Sequence, residues 1–250
     1  MSRFDFIPEN EVWIVVDVES DGPAPGIYSM VSFGAVVVAP GFQQTFYGKT
    51  RPLPDAKWQM AALAVSGFTR GEHEGFDDPK HVMMQFDRWL TEIHDRIPAF
   101  AGGRRLVFWS DNNGFDWQFI NYYLHRFVDN NPFGYSSRRI ADYAAGIGLR
   151  GWKHLRVTDH THNPVDDATG NAEALAKIME MGLPQTPRKP TAAITEITPS
   201  HKSVAGQASD LEVAAQLLDS GSLYPLELRA FRVRQAARTL IELAKQAGMK

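Results

Sequence analysis

The sequence predicts a layered α/β or α+β domain, and three observations carry that prediction. Apolar, β-branched runs separated by turn residues open the chain. Strand and helix patterns then alternate, which is the order that builds a sheet covered by helices. Of the 250 residues, 44% are hydrophobic and 22% charged, enough to bury a sizeable core and far from the composition of a disordered or fibrous chain.

Each element follows from its residues. Val12 to Asp17 reads as a buried strand, and Asp21-Gly22-Pro23-Ala24-Pro25-Gly26 as a turn. Met30 to Ala39 reads as a second strand and Gln43 to Lys49, alternating polar and aromatic residues, as a third, giving an antiparallel meander. Lys57 to Val65 reads as a helix that stops at Ser66-Gly67. Pro79 to His94 reads as a second helix: Pro79 suits the first turn, and Val82, Phe86, Trp89, Leu90 and Ile93 recur at spacings of three and four. Leu106 to Trp109 is a short strand, and Phe115 to Phe127 an amphipathic helix beyond Asn113-Gly114. Asn163 caps a last helix of this region, with Pro164 at its first position and Ala168 to Met181 continuing it. From 184 to 209 the chain carries Pro184, Pro187, Pro190 and Pro199 and no aromatic residue, which predicts a linker or surface-draped arm. Helical patterns at 210–218 and 225–247 predict a C-terminal extension. In 222–250 six basic residues stand against two acidic ones, a pattern that reads first as the solvated face of a packed helix and second as a nucleic-acid contact.

Composition excludes several classes. There is no cysteine, hence no disulfide framework, thiolate metal site or cysteine nucleophile. No apolar run approaches the ~18 residues that span a bilayer, and the N-terminus shows no signal-peptide core, so no membrane association and a cytoplasmic location are the expectation. A net charge of −3 argues against a large electrostatic footprint on duplex nucleic acid and is compatible with a pocket gripping a few nucleotides.

The chemistry lies in carboxylates. Asp17-Val18-Glu19 ends the first strand; residues two apart share a face, so Asp17 and Glu19 project together. Asp116 falls in the first turn of a helix that follows a strand, where α/β folds place ligand sites. His162 precedes a helix whose first turn holds Asp166 and Asp167. Taken singly, each has a plainer explanation: a solvated strand end, a helix-dipole partner, a cap. In this order and spacing, Asp17-x-Glu19, Asn112 or Asn113 with Phe115-Asp116, and His162-x(4)-Asp167-Ala168 resemble the motifs of the DEDDh branch of the DnaQ-like 3'-5' exonucleases. That superfamily includes polymerase proofreading subunits, ribonuclease T and oligoribonuclease. Leu63 to Thr69 resembles the segment between the first two motifs. The resemblance spans about residues 11–183, taken as the exonuclease domain. Ser20-Asp21 departs from the residues that many members carry after the first motif, and Ser110-Asp111 lacks a histidine often found before the second.

The resemblance implies a ribonuclease H-like mixed sheet, antiparallel in its first strands and then parallel, flanked by helices. It implies two Mg2+ or Mn2+ ions, since hard oxygen ligands suit these cations and clustered carboxylates cannot all stay ionised without them. Asp17 would serve both ions, Glu19 and Asp167 the first, Asp116 the second; His162 would act as general base. Asp166 would point about 100° away from Asp167 around the helix. Ser20, Asp21, Tyr28, Met30, Asn113 and Trp117 are the substrate-binding candidates, although Trp117 at helical spacing also suits a core. The substrate class is single-stranded nucleic acid with a free 3' end, RNA or short oligoribonucleotides ahead of DNA, released as nucleoside 5'-monophosphates. Many relatives are homodimers, so the resemblance admits that assembly. A non-catalytic protein on the same fold would be expected to have lost one of the five positions; a glycosidase would leave two acids unexplained.

Overall fold

The structure, a computed structural model, describes residues 4–96 and 105–182. The linker expected at 184–209 and the extension expected at 210–250 lie outside the described residues. Five strands form one mixed sheet in the order β3-β2-β1-β4-β5. β1 (Glu11–Ser20) pairs antiparallel with β2 (Met30–Val37), and β2 antiparallel with β3 (Thr45–Lys49). On its other side β1 runs parallel to β4 (Arg105–Ser110), which runs parallel to β5 (Ser137–Arg139). This is the mixed sheet the sequence implies.

Alternation along β1 sorts its side chains between two cores. Ile14, Val16 and Val18 pack with Phe33 of β2, with Phe86 and Leu90 of α3 (Pro79–Asp95), and with Phe119 and Ile120 of α4 (Asn113–Phe127). Trp13 and Val15 face the opposite way, onto Ala172, Leu175 and Ile178 of α6 (Pro164–Gly182) and Ile140 of α5 (Ile140–Gly146). Both faces of the central strand are therefore dry, which explains its unbroken apolar run. The α6 face continues past Val15 to Asp17 and Glu19. Among the described residues no helix is long and apolar enough to cross a membrane.

The helix expected over Lys57 to Val65 shrinks to α1 (Met60–Val65). The backbone N–H groups of Lys57 and Gln59 instead donate to the carbonyls of Ile27 and Asp21, both at 2.8 Å, pinning that stretch along the turn after β1. Besides two short 3-10 turns, Pro40–Phe42 and Trp152–Leu155, three elements were not anticipated. α2 (Arg70–Glu74) starts on a complete capping box, Thr69 with Glu72. β5 and α5 follow each other with three and seven residues, too short to show a period.

Candidate active site

Register places the first pair of acids. Asp17 lies opposite Gly34 and Glu19 opposite Ser32, on the α6 face of the sheet, and the ladder shifts between Glu19 and Ser20. Such an irregularity re-aims the strand end. A Cβ on Gly34 would stand 2.3 Å from the backbone of Pro164 and 2.4 Å from that of Val165. Only glycine therefore lets the start of α6 rest directly on β2, and this contact brings Asp167 over Asp17. Asn163 fixes that start: its Oδ1 accepts from Val165 N–H at 3.0 Å, and its carbonyl accepts from Asp167 N–H at 2.9 Å. Carboxylate oxygens of Asp17, Glu19 and Asp167 lie within 4.8 Å of one another. Asp116 enters from the other layer, its Oδ1 accepting from Val18 N–H at 3.1 Å, between the two acids of β1.

Asp167 is 1% exposed and held on every side. Its Oδ1 accepts from Arg156 at 3.0 Å and from Thr161 N–H at 3.1 Å; its Oδ2 accepts from His162 N–H at 3.1 Å and faces His160 Nδ1 at 2.6 Å. Arg156 and His160 were not found from the sequence. Arg156 reaches in because residue 170 is glycine: a Cβ there would stand 2.5 Å from its Nε. His162 adopts φ +60°, a left-handed conformation that costs a non-glycine residue about 1–2 kcal/mol. The bonds to Asp167 and the cap at Asn163 hold it there. Its Nδ1 stands 3.7 Å from Glu19 Oε1, and its ring centroid 4.4 Å from that of His160. Asp166 turns aside and accepts from the Thr161 hydroxyl at 3.0 Å.

The acids crowd one another in a dry setting. Burial, then the charges of Asp116, Glu19 and Asp167, raise Asp17 well above the usual carboxylate range, with Arg156 opposing. Burial and the charge of Asp167 raise Glu19 to about 7. Burial raises Asp116 to about 8 against hydrogen bonds from Ser110 and Val18 N–H. A cluster of hard oxygens that resists ionising together, with one guanidinium beside it, is a donor set suited to divalent cations of the magnesium type.

The substrate-binding candidates fare unevenly. Met30 is corrected: it is 0% exposed and packs in the core with Phe33, leaving no surface for a substrate. Asp21 is also 0% exposed, accepting from Ser29 N–H at 2.6 Å and from Arg70 at 3.2 Å, so it closes the turn instead of facing outward. Ser20 is buried and donates to the Gly22 carbonyl at 2.6 Å. Asn113 donates to the Ser137 hydroxyl at 2.8 Å and ties α4 to β5. Trp117 packs edge-on against Phe108, centroids 5.0 Å apart. Tyr28 remains half-buried over Gly22, its hydroxyl accepting from Gln59 at 3.2 Å.

A curated Escherichia coli protein, the 3'-5' DNA exonuclease Cap18, is 33% identical to this chain over 171 residues, 67% of this chain and 86% of that protein. The chain belongs to the DEDDh 3'-5' exonucleases. It is thus a hydrolase of phosphodiester bonds, in a family that depends on divalent metal. No protein-family model matches it. Among solved structures, Escherichia coli exonuclease I in complex with single-stranded DNA aligns with a TM-score of 0.52 at 16% identity, over 70% of this exonuclease and 42% of that chain. A 3'-exonuclease that recognises the 3' end of a histone mRNA stem-loop aligns with a TM-score of 0.53 at 14% identity, over 68% and 64%. This exonuclease spans less than two thirds of both, and the likeness is one of fold, the ribonuclease H-like mixed sheet.

Proposed function

We propose that this exonuclease removes nucleotides from the 3' end of single-stranded DNA, using two Mg2+ or Mn2+ ions held by Asp17, Glu19, Asp116 and Asp167, with His162 as general base. The observation that carries this reading is the convergence of three carboxylates within 4.8 Å, with Asp116 bonded to the backbone between two of them. Sequence alone favours RNA; the relative at 33% identity, named a DNA exonuclease, favours DNA.

Asp17 would serve both ions, Glu19 and Asp167 the first, and Asp116 the second. When bound, the ions would stabilise the entering and leaving oxygens of an in-line displacement at phosphorus. The protein's own groups do the rest. Thr161, His162 and Arg156 hold the Asp167 carboxylate in one orientation. His162 presents Nδ1 towards Glu19, leaving Nε2 to take the proton from the attacking water, and Glu19 balances the imidazolium that forms. Water oxygen bonds to phosphorus, the bond from phosphorus to the 3' oxygen breaks, that oxygen takes a proton from solvent water to become the new 3'-hydroxyl, and a nucleoside 5'-monophosphate leaves.

Parallel digestion of 5'-labelled DNA and RNA of one sequence tests the reading. Stepwise shortening of DNA from its 3' end, well ahead of RNA, is expected. Faster loss of RNA would reverse the substrate assignment, and release of the 5' label as a mononucleotide would overturn the polarity.

A further inference from the structure

We propose that Lys49, at the end of edge strand β3, is a substrate contact that grips a backbone phosphate of the strand being degraded. The inference rests on the reading of a single-stranded nucleic acid substrate and adds a subsite on the β3 side of the carboxylates.

Register carries the placement. Glu19 pairs with Ser32, and Ser32 with Lys49; Asp17 pairs with Gly34, and Gly34 with Tyr47. Directly opposed residues share a face, so Tyr47 and Lys49 lie on the carboxylate face, two strand spacings or ~10 Å from Asp17 and Glu19.

Lys49 is an exposed residue. Among the described residues, the contacts its ammonium makes are with rings: it lies 5.5 Å from the centroid of Tyr47, 5.7 Å from Phe68 and 5.2 Å from Phe76. Phe68 and Phe76 meet edge to face at 4.9 Å, which makes a fixed platform. Cation–π contact of this kind restrains an ammonium by its charge while leaving its three N–H donors free for oxygen acceptors. A lysine restrained in this way has lost part of its entropy before any ligand arrives. The ligand chemistry follows from the neighbours. The site is a cluster of carboxylates, and a polyanion docking beside it needs a cation outside the metal positions. Tyr47, 41% exposed, adds a ring face on which a base can stack.

The test measures binding of a 5'-fluorescein-labelled DNA oligonucleotide in Ca2+ across a range of KCl, for wild type, Lys49→Met and Lys49→Arg. Lys49→Met keeps an unbranched apolar stem over the rings and removes the charge. It is expected to weaken binding several-fold at low salt and to flatten the slope of log Kd against log salt by about 0.7, the share of one phosphate contact on a single strand. Lys49→Arg is expected to keep the wild-type slope. The ratio of kcat/KM for the oligonucleotide to that for thymidine 5'-(p-nitrophenyl phosphate), which offers no second phosphate, should fall in Lys49→Met. A wild-type slope and ratio in a folded Lys49→Met overturn the subsite while leaving the exonuclease reading intact. Failure of wild type to cleave either substrate overturns that reading and the subsite with it.

Discussion

At the scale of single residues, the site depends on groups forced into positions they would not choose. His162 sits in left-handed backbone because Asp167 and Asn163 over-determine it. His162→Ala should lower kcat on DNA by ~10²–10⁴, the usual worth of a general base, while divalent-cation affinity stays near that of wild type; wild-type turnover at neutral pH would remove His162 from the role. The spacings Asp17-x-Glu19 and His162-x(4)-Asp167 were legible in the sequence because a strand's period and a helix's first turn translate directly into a shared location. Arg156 and His160 were not, since they come from an irregular stretch where spacing carries no direction. Met30 misled for a related reason: the ladder shift after Glu19 pairs Ser20 with Met30 and sends the Met30 side chain into the core.

At the scale of elements, one contact brings two motifs together. The first turn of α6 rests on Gly34 of β2, and the Asp17–Asp167 proximity follows. Gly34→Ala should press the helix away from the sheet. Overpacking of this kind costs about 1–3 kcal/mol, and each kcal/mol lowers the melting temperature by roughly 2–4 °C in a domain of this size. Differential scanning fluorimetry and a digestion assay should show both a lower melting temperature and a larger loss of activity than that destabilisation alone explains. A variant with wild-type melting and turnover would show that the close approach is dispensable. The sheet's long strands and α3, α4 and α6 were readable because their periods run over many residues. β5, α2 and α5 were not, being three, five and seven residues long; their places are set by tertiary contact, as the Asn113–Ser137 bond illustrates.

At the scale of the molecule, one sheet assembles an acidic cluster that, among the described residues, Arg156 offsets only in part. Ile14, Val16 and Val18 anchor β1 to α3 and α4, Trp13 and Val15 anchor it to α5 and α6, and burial at the end of that strand, with the neighbouring acids, raises Glu19 to about 7 and Asp116 to about 8. Carboxylates raised in this way hold protons more tightly near neutral pH, and those protons would compete with any cation the cluster binds. Divalent-cation affinity should therefore rise with pH up to about 8, with protons released on binding below that. Calorimetric titration with Mn2+ at pH 6 and pH 8, in buffers of different ionisation enthalpy, measures stoichiometry, affinity and proton release together. Wild type should take up two ions, bind them more tightly at pH 8 and release protons at pH 6, and Asp17→Asn should lose most of that binding. Mn2+ binding that is indifferent to pH, or unchanged in Asp17→Asn, would contradict a metal centre built on these carboxylates.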